Sequence, residues 1–221
     1  MKVTQQEGAK VMSLFNNIGS LMNTLMQPND HEETKNLANK AGVDTNDFSK
    51  IASIGLPLLF QGMNRNNQSK EGLDSFNQAL NQHQARNNYE SVNEFSRHVD
   101  PQEGDKIVNH VFHNEKDDVS NSLADRLGVS PQTVKKTLAV LAPIAIKYLA
   151  DRKKEQNLDD QGVQRETETL TREAAMKARD YDGGQGAGSG GLLGNLVSGL
   201  TQTSDNKNKD GLLGNLFDIF K

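Results

Sequence analysis

The chain has 221 residues and a formal charge of -4 at neutral pH, and only 34% of it is hydrophobic, too little for a packed core along its whole length. It has no cysteine and no tryptophan, which removes disulfides, thiolate metal sites and cysteine nucleophiles together. The acidic balance offers no general attraction to polyanions, so nucleic-acid contact would need a local basic patch.

The first residues, Met1-Lys2-Val3-Thr4-Gln5-Gln6-Glu7, lack the apolar centre of a secretory signal, and a cytoplasmic protein is expected. The longest apolar stretch, 138–146, includes Pro143 and falls far short of the roughly 20 residues that span a bilayer. No transmembrane helix is expected.

Sliding the sequence against itself by 86 positions aligns 21–65 with 107–151 without a gap. Asn23 meets Asn109, Leu37-Ala38 meets Leu123-Ala124, Gly42-Val43 meets Gly128-Val129, Lys50 meets Lys136 and Pro57 meets Pro143. Apolar character is also kept at Leu21/Ile107, Met22/Val108, Leu25/Val111, Met26/Phe112, Phe48/Val134, Ile54/Val140 and Leu58/Ile144. An internal repeat of a helical unit accounts for this pattern.

In chain order, the first copy runs as helix, turn, helix, with Gly42 as the stop and Asp44 as the start of the next helix. That helix is apolar on nearly all sides over 51–60, as a buried central helix requires. Then come two thin amphipathic helices, one with Leu73, Phe76 and Leu80 on a face and one with Tyr89, Val92, Phe95 and Val99, while Asn and Gln fill the solvated positions of 64–93. The second copy places a short helix at 119–127, Gly128 at the left-handed C′ position, Val129 inward, Ser130 as N-cap and Pro131 at N1. Its central helix is apolar over 138–149. Pro57 and Pro143 should kink or break the two central helices at matching heights, and these helices are expected to pair in one core.

The stretch Gly104-Asp105-Lys106-Ile107-Val108-Asn109-His110-Val111-Phe112, then Leu123-Ala124-Asp125-Arg126-Leu127-Gly128-Val129-Ser130, with Leu141-Ala142-Pro143 further on, resembles the YidB-like bacterial family (domain of unknown function 937). The resemblance covers about 20–151 and implies an all-helical fold without an established activity. His113 stands where the family pattern has a glycine.

The segment 119–138 also has the spacing of a DNA-binding helix-turn-helix, with Ala124, Gly128 and Val134 as packing positions. Bases would then be read by Gln132, Thr133, Lys135 and Lys136. Against this, the second helix runs straight into a buried segment, and the first copy has Asp44 and Asp47 there. The DNA-binding regulator is therefore the alternative reading. His110 and His113, three apart, and His98 with Asp100 show no recognised ligand spacing, and no metal or other cofactor is expected. Asp117-Asp118 and Asp159-Asp160 have no adjacent base or nucleophile, and the glycines of 183–191 lack the lysine and hydroxyl of a phosphate loop. No catalytic constellation emerges, and no enzyme is expected.

Residues 152–182 are strongly charged, with Arg165, Glu166, Glu168, Arg172, Glu173, Lys177 and Arg179 around a thin apolar stripe, and are expected to form a solvated helical arm after a duplicated core of 10–151. The remainder, 183–221, reads as a disordered glycine-rich tail carrying Gly-Leu-Leu-Gly-Asn-Leu twice, twenty residues apart. Leu192, Leu193 and Leu196 in one copy, and Leu212, Leu213, Leu216, Phe217 and Phe220 in the other, fall on one face of a short helix. Helices so short are marginal alone. They are expected to dock on protein, self or other, with a membrane surface less favoured because Asp210 and Asp218 oppose anionic lipid. The expected architecture is all-α: a single multihelical domain from two divergent repeats, a charged helix and this tail. The expected role is a non-enzymatic scaffold or protein–protein interaction module.

Overall fold

The computed structural model describes residues 17–28, 31–86, 89 and 91–183, with side chains at 84–86 and 179–183 left aside. Within these the chain forms α1 (Ile18–Met26), α2 (Glu32–Ala41), α3 (Thr45–Asn66), α4 (Lys70–Arg86), α5 (Val92–His98), α6 (Pro101–Phe112), a 3-10 turn (His113–Glu115), α7 (Lys116–Leu127), α8 (Pro131–Glu155) and α9 (Asp160–Gly183). No strand occurs among the described residues.

Local chemistry sets the helix ends. Gly42 (φ 62°) closes α2 and Gly128 (φ 66°) closes α7 in the left-handed conformation that only glycine takes without penalty. The next amides, of Val43 and Val129, return to the carbonyls of Ala38 and Ala124, both at 3.1 Å. Asp44 then caps α3 by accepting from the Asn46 amide at 2.8 Å, and Ser130 caps α8 by accepting from the Thr133 amide at 3.0 Å, with Pro131 at its first position. His113 adopts φ 50°, a backbone region in which a glycine would be unstrained.

The central helices are α3 and α8, fully buried over 51–60 and 137–151 respectively. They pair side by side in the same direction. Gly55 of α3 lies against Leu138 and Leu141 of α8, a Cβ on it falling 2.9 Å from Leu138 Cδ2, and Phe60 meets Tyr148 edge-on at a ring-centroid distance of 6.4 Å. Burial pushes the Tyr148 hydroxyl up to about 12, so it remains neutral in the core. The helix after each central helix crosses over: α4 lies mainly on α8, and α9 mainly on α3. The result is one shared hydrophobic core into which α1, α2, α5, α6 and α7 also send apolar side chains.

Two expectations need correction. Pro57 and Pro143 break neither helix; α3 and α8 run through them. Pro143 removes one ladder donor, leaving the Ala139 carbonyl without its intrahelical partner, and α6 packs there so closely that a Cβ on Gly104 would lie 1.6 Å from that oxygen. The neighbouring helix thereby shields the gap. The second correction concerns 152–182, which is no solvated arm. Val163, Thr167, Leu170, Thr171, Ala174, Ala175 and Ala178 are buried along α9, while Arg165, Glu168, Arg172, Glu173 and Lys177 face solvent. The stripe looks thin in sequence because, apart from Val163 and Leu170, threonines and alanines compose it. Thr167 and Thr171 satisfy their hydroxyls on the helix's own carbonyls of Val163 and Thr167, both at 2.7 Å, and present methyl groups to the core.

Candidate functional site

The first one and a half turns of α8 reach the surface, where Gln132 and Lys136 are exposed and Lys135 half-buried, whereas 137–151 is interior. The end of α2 and the start of α6 stand on either side, and together they enclose an open groove of about 690 Å³. Asn39, Lys40, Ala41 and Gly42 line it from α2, Pro101, Gln102, Asp105 and Lys106 from α6, and Gln132, Lys135, Lys136 and Ala139 from α8. Its floor is small or aliphatic. Four lysines face one aspartate, and Asp105 is already held by Lys116 Nζ at 2.5 Å. Lys135 pairs with Asp117 at 2.7 Å, a bond that lowers the Asp117 carboxyl below its ordinary range. The groove is therefore a basic-rimmed channel inside an acidic protein.

Three of the four residues assigned to nucleic acid, Gln132, Lys135 and Lys136, thus come together. Thr133 does not join them: its amide and hydroxyl both engage Ser130 in the helix cap, the hydroxyl at 2.8 Å. Ala124 and Val134 are buried and pack as the helix-turn-helix spacing requires. However, the would-be recognition helix is recessed between α2 and α6 instead of projecting, whereas a helix entering a major groove must stand clear of its own domain. Lys40, Asn39, Gln102 and Lys106 were missed because they lie far from the turn in sequence. Only the packing of α2 and α6 on α8 brings them there.

The other candidates have structural roles. His98 pairs its Nδ1 with the Glu94 carbonyl at 2.8 Å and stacks on Tyr89, while Asp100 caps α6 through the Gln102 amide at 2.8 Å. His110 and His113 lie with ring centroids 5.7 Å apart at the end of α6. Asp159 accepts from the Gly162 amide at 2.7 Å at the start of α9. Among the described residues no three His, Asp or Glu side chains gather as a metal-binding group, and no helix is long and apolar enough to cross a membrane. Leu192, Leu193, Leu196, Leu212, Leu213, Leu216, Phe217 and Phe220 lie outside the described residues.

Compared with known proteins, residues 23–152 match the family model described as "Bacterial protein of unknown function (DUF937)". No curated protein and no solved structure matches the chain.

Proposed function

The chain belongs to the bacterial family of unknown function DUF937, and on that footing we propose that it is a non-enzymatic helical scaffold for protein–protein contact. In this reading a duplicated helical unit forms the body, and the two Gly-Leu-Leu-Gly-Asn-Leu segments are the contact elements. One observation carries it. The body gathers its apolar side chains into a single core, and among the described residues Met176 is the large hydrophobic side chain left exposed. Apolar adhesion then falls to Leu192, Leu193 and Leu196 and to Leu212, Leu213, Leu216, Phe217 and Phe220. Two weak contacts on one chain add through effective concentration.

The duplication is supported by spacing. Moved on by 86 residues, α1, α2 and α3 fall within α6, α7 and α8, the left-handed glycines coincide, and Pro57 falls on Pro143. The start of α9 likewise overlies the place of α4.

Light scattering and pull-down of the full chain and of a chain ending at Asp182 test the tether. Loss of self-association or of bound partners on truncation is expected; unchanged mass together with unchanged partners removes the proposal. The convergence of Gln132, Lys135 and Lys136 with Lys40 and Lys106 favours a second reading, a DNA-binding regulator. Its test is a mobility shift on random duplex at low salt, where absence of any shift at micromolar protein removes it.

A further inference from the structure

The groove between α2, α6 and α8 has a counterpart elsewhere in the fold. Under the 86-residue correspondence, Asp105, Lys135 and Ala139 of its lining correspond to Gly19 on α1 and to Ser49 and Ser53 on α3. That place is filled. Gln164 near the start of α9 donates to the Asn67 carbonyl just past the end of α3 at 3.2 Å, and Lys177 near the end of α9 lies against Gly19. Thus α9 returns along α3 to the start of α1, and Ser49 and Ser53 are 1% and 6% exposed. In the other half, α4 (Lys70–Arg86) is the counterpart of the first part of α9, and among the described residues nothing corresponds to the last turns of α9. The next helix, α5, packs on α2. The groove is the place a longer α4 would have filled.

We infer that this vacancy receives a helix from the same chain, namely the segment 211–220, Gly-Leu-Leu-Gly-Asn-Leu-Phe-Asp-Ile-Phe. The inference rests on the duplication and on the tail as contact element. The fit has three parts. Leu212, Leu213, Leu216, Phe217 and Phe220 share one face, and the groove offers Ala41, Pro101 and Ala139 with lysine stems beside them, an apolar surface for large side chains to cover. Within 210–220 the charged residues are Asp210 and Asp218, set between Lys209 and Lys221, and they match the rim lysines Lys40, Lys106 and Lys136, whereas 191–200 carries no acid. Finally, 27 residues separate Gly183 from Gly211, a reach of up to roughly 90 Å when extended, enough to arrive anywhere on the body. While the second segment is seated on its own body only the first, 191–200, is open to partners, and the two-point contact of the tether forms when the seat is vacated.

The chain has no cysteine, so Gln132→Cys places a single thiol in the groove of the full-length protein, and its maleimide labelling rate reads occupancy. A tethered segment at an effective concentration on the order of 1 mM, on a site of about 0.1 mM affinity, leaves roughly one groove in ten open. Labelling about 10-fold slower is therefore expected than in the same protein with Leu213→Asp, Leu216→Asp and Phe217→Asp, substitutions outside the packed body. Lys106→Glu with Lys136→Glu should restore fast labelling likewise. Equal rates with and without the tail substitutions overturn the inference. Slowing that appears only as protein concentration rises overturns it too, since a second copy's segment would then be the occupant, and so does release by Leu193→Asp with Leu196→Asp alone. Protection with unchanged mass and partners on truncation would sink the tether and leave this seat standing; the reverse pattern would do the opposite.

Discussion

Replacing Gly104 by alanine should cost about 3 kcal/mol or more, read as a lowered urea midpoint at unchanged slope. At an exposed helix position the same change would gain up to about 1 kcal/mol, because alanine is the better helix former. Here the sign reverses. The new Cβ would lie 1.6 Å from the Ala139 carbonyl oxygen and 2.6 Å from its carbon, both backbone atoms, with Pro143 Cδ at 3.0 Å. No rotamer change clears backbone, so α6 must lift away from α8. A midpoint equal to or above that of the parent protein would show that the two helices do not meet there.

The second large effect lies near the end of α8. Lys147 and Asp151 form an ion pair one turn apart, with side chains only 6% and 9% exposed, and Asp151 Oδ2 has no hydrogen-bond partner. Asp151→Ala strands a buried ammonium and should cost about 3–5 kcal/mol. Lys147→Met combined with Asp151→Leu removes both charges at similar volume, and should return to within about 1 kcal/mol of the parent or exceed it. Denaturant titration of the two variants decides the matter. Equal losses in the single and double variants would mean that side-chain packing, not the stranded charge, sets the cost.

Much of the fold was legible because its signals are local. A glycine that must take positive φ, followed within two residues by Asp44 or Ser130, specifies a helix stop and start by itself. The all-round apolar runs of α3 and α8 announced their burial before any partner was known. The misreadings arose where packing decides. In α9 the buried stripe has only Val163 and Leu170 as large apolar residues, and the rest are threonines and alanines, which the eye scores as neutral beside so many charges. At Pro143 the local rule foresaw a kink or break, but α8 continues through it, with α6 packed through Gly104 against the carbonyl that lacks its intrahelical partner. The groove was half visible: Gln132, Lys135 and Lys136 belong to one helix start, while Lys40 and Lys106 reach it only through the packing of α2 and α6.

All of this depends on α3 and α8 lying together in the 86-residue register, since the pairing assembles the body and defines the vacant seat. The direct test is nuclear Overhauser spectroscopy on methyl- and aromatic-labelled protein. Strong cross-peaks are expected between the Gly55 α-protons and a Leu138 methyl, and between the Phe60 and Tyr148 rings. A fully assigned spectrum with neither cross-peak would place the two helices apart and contradict the account.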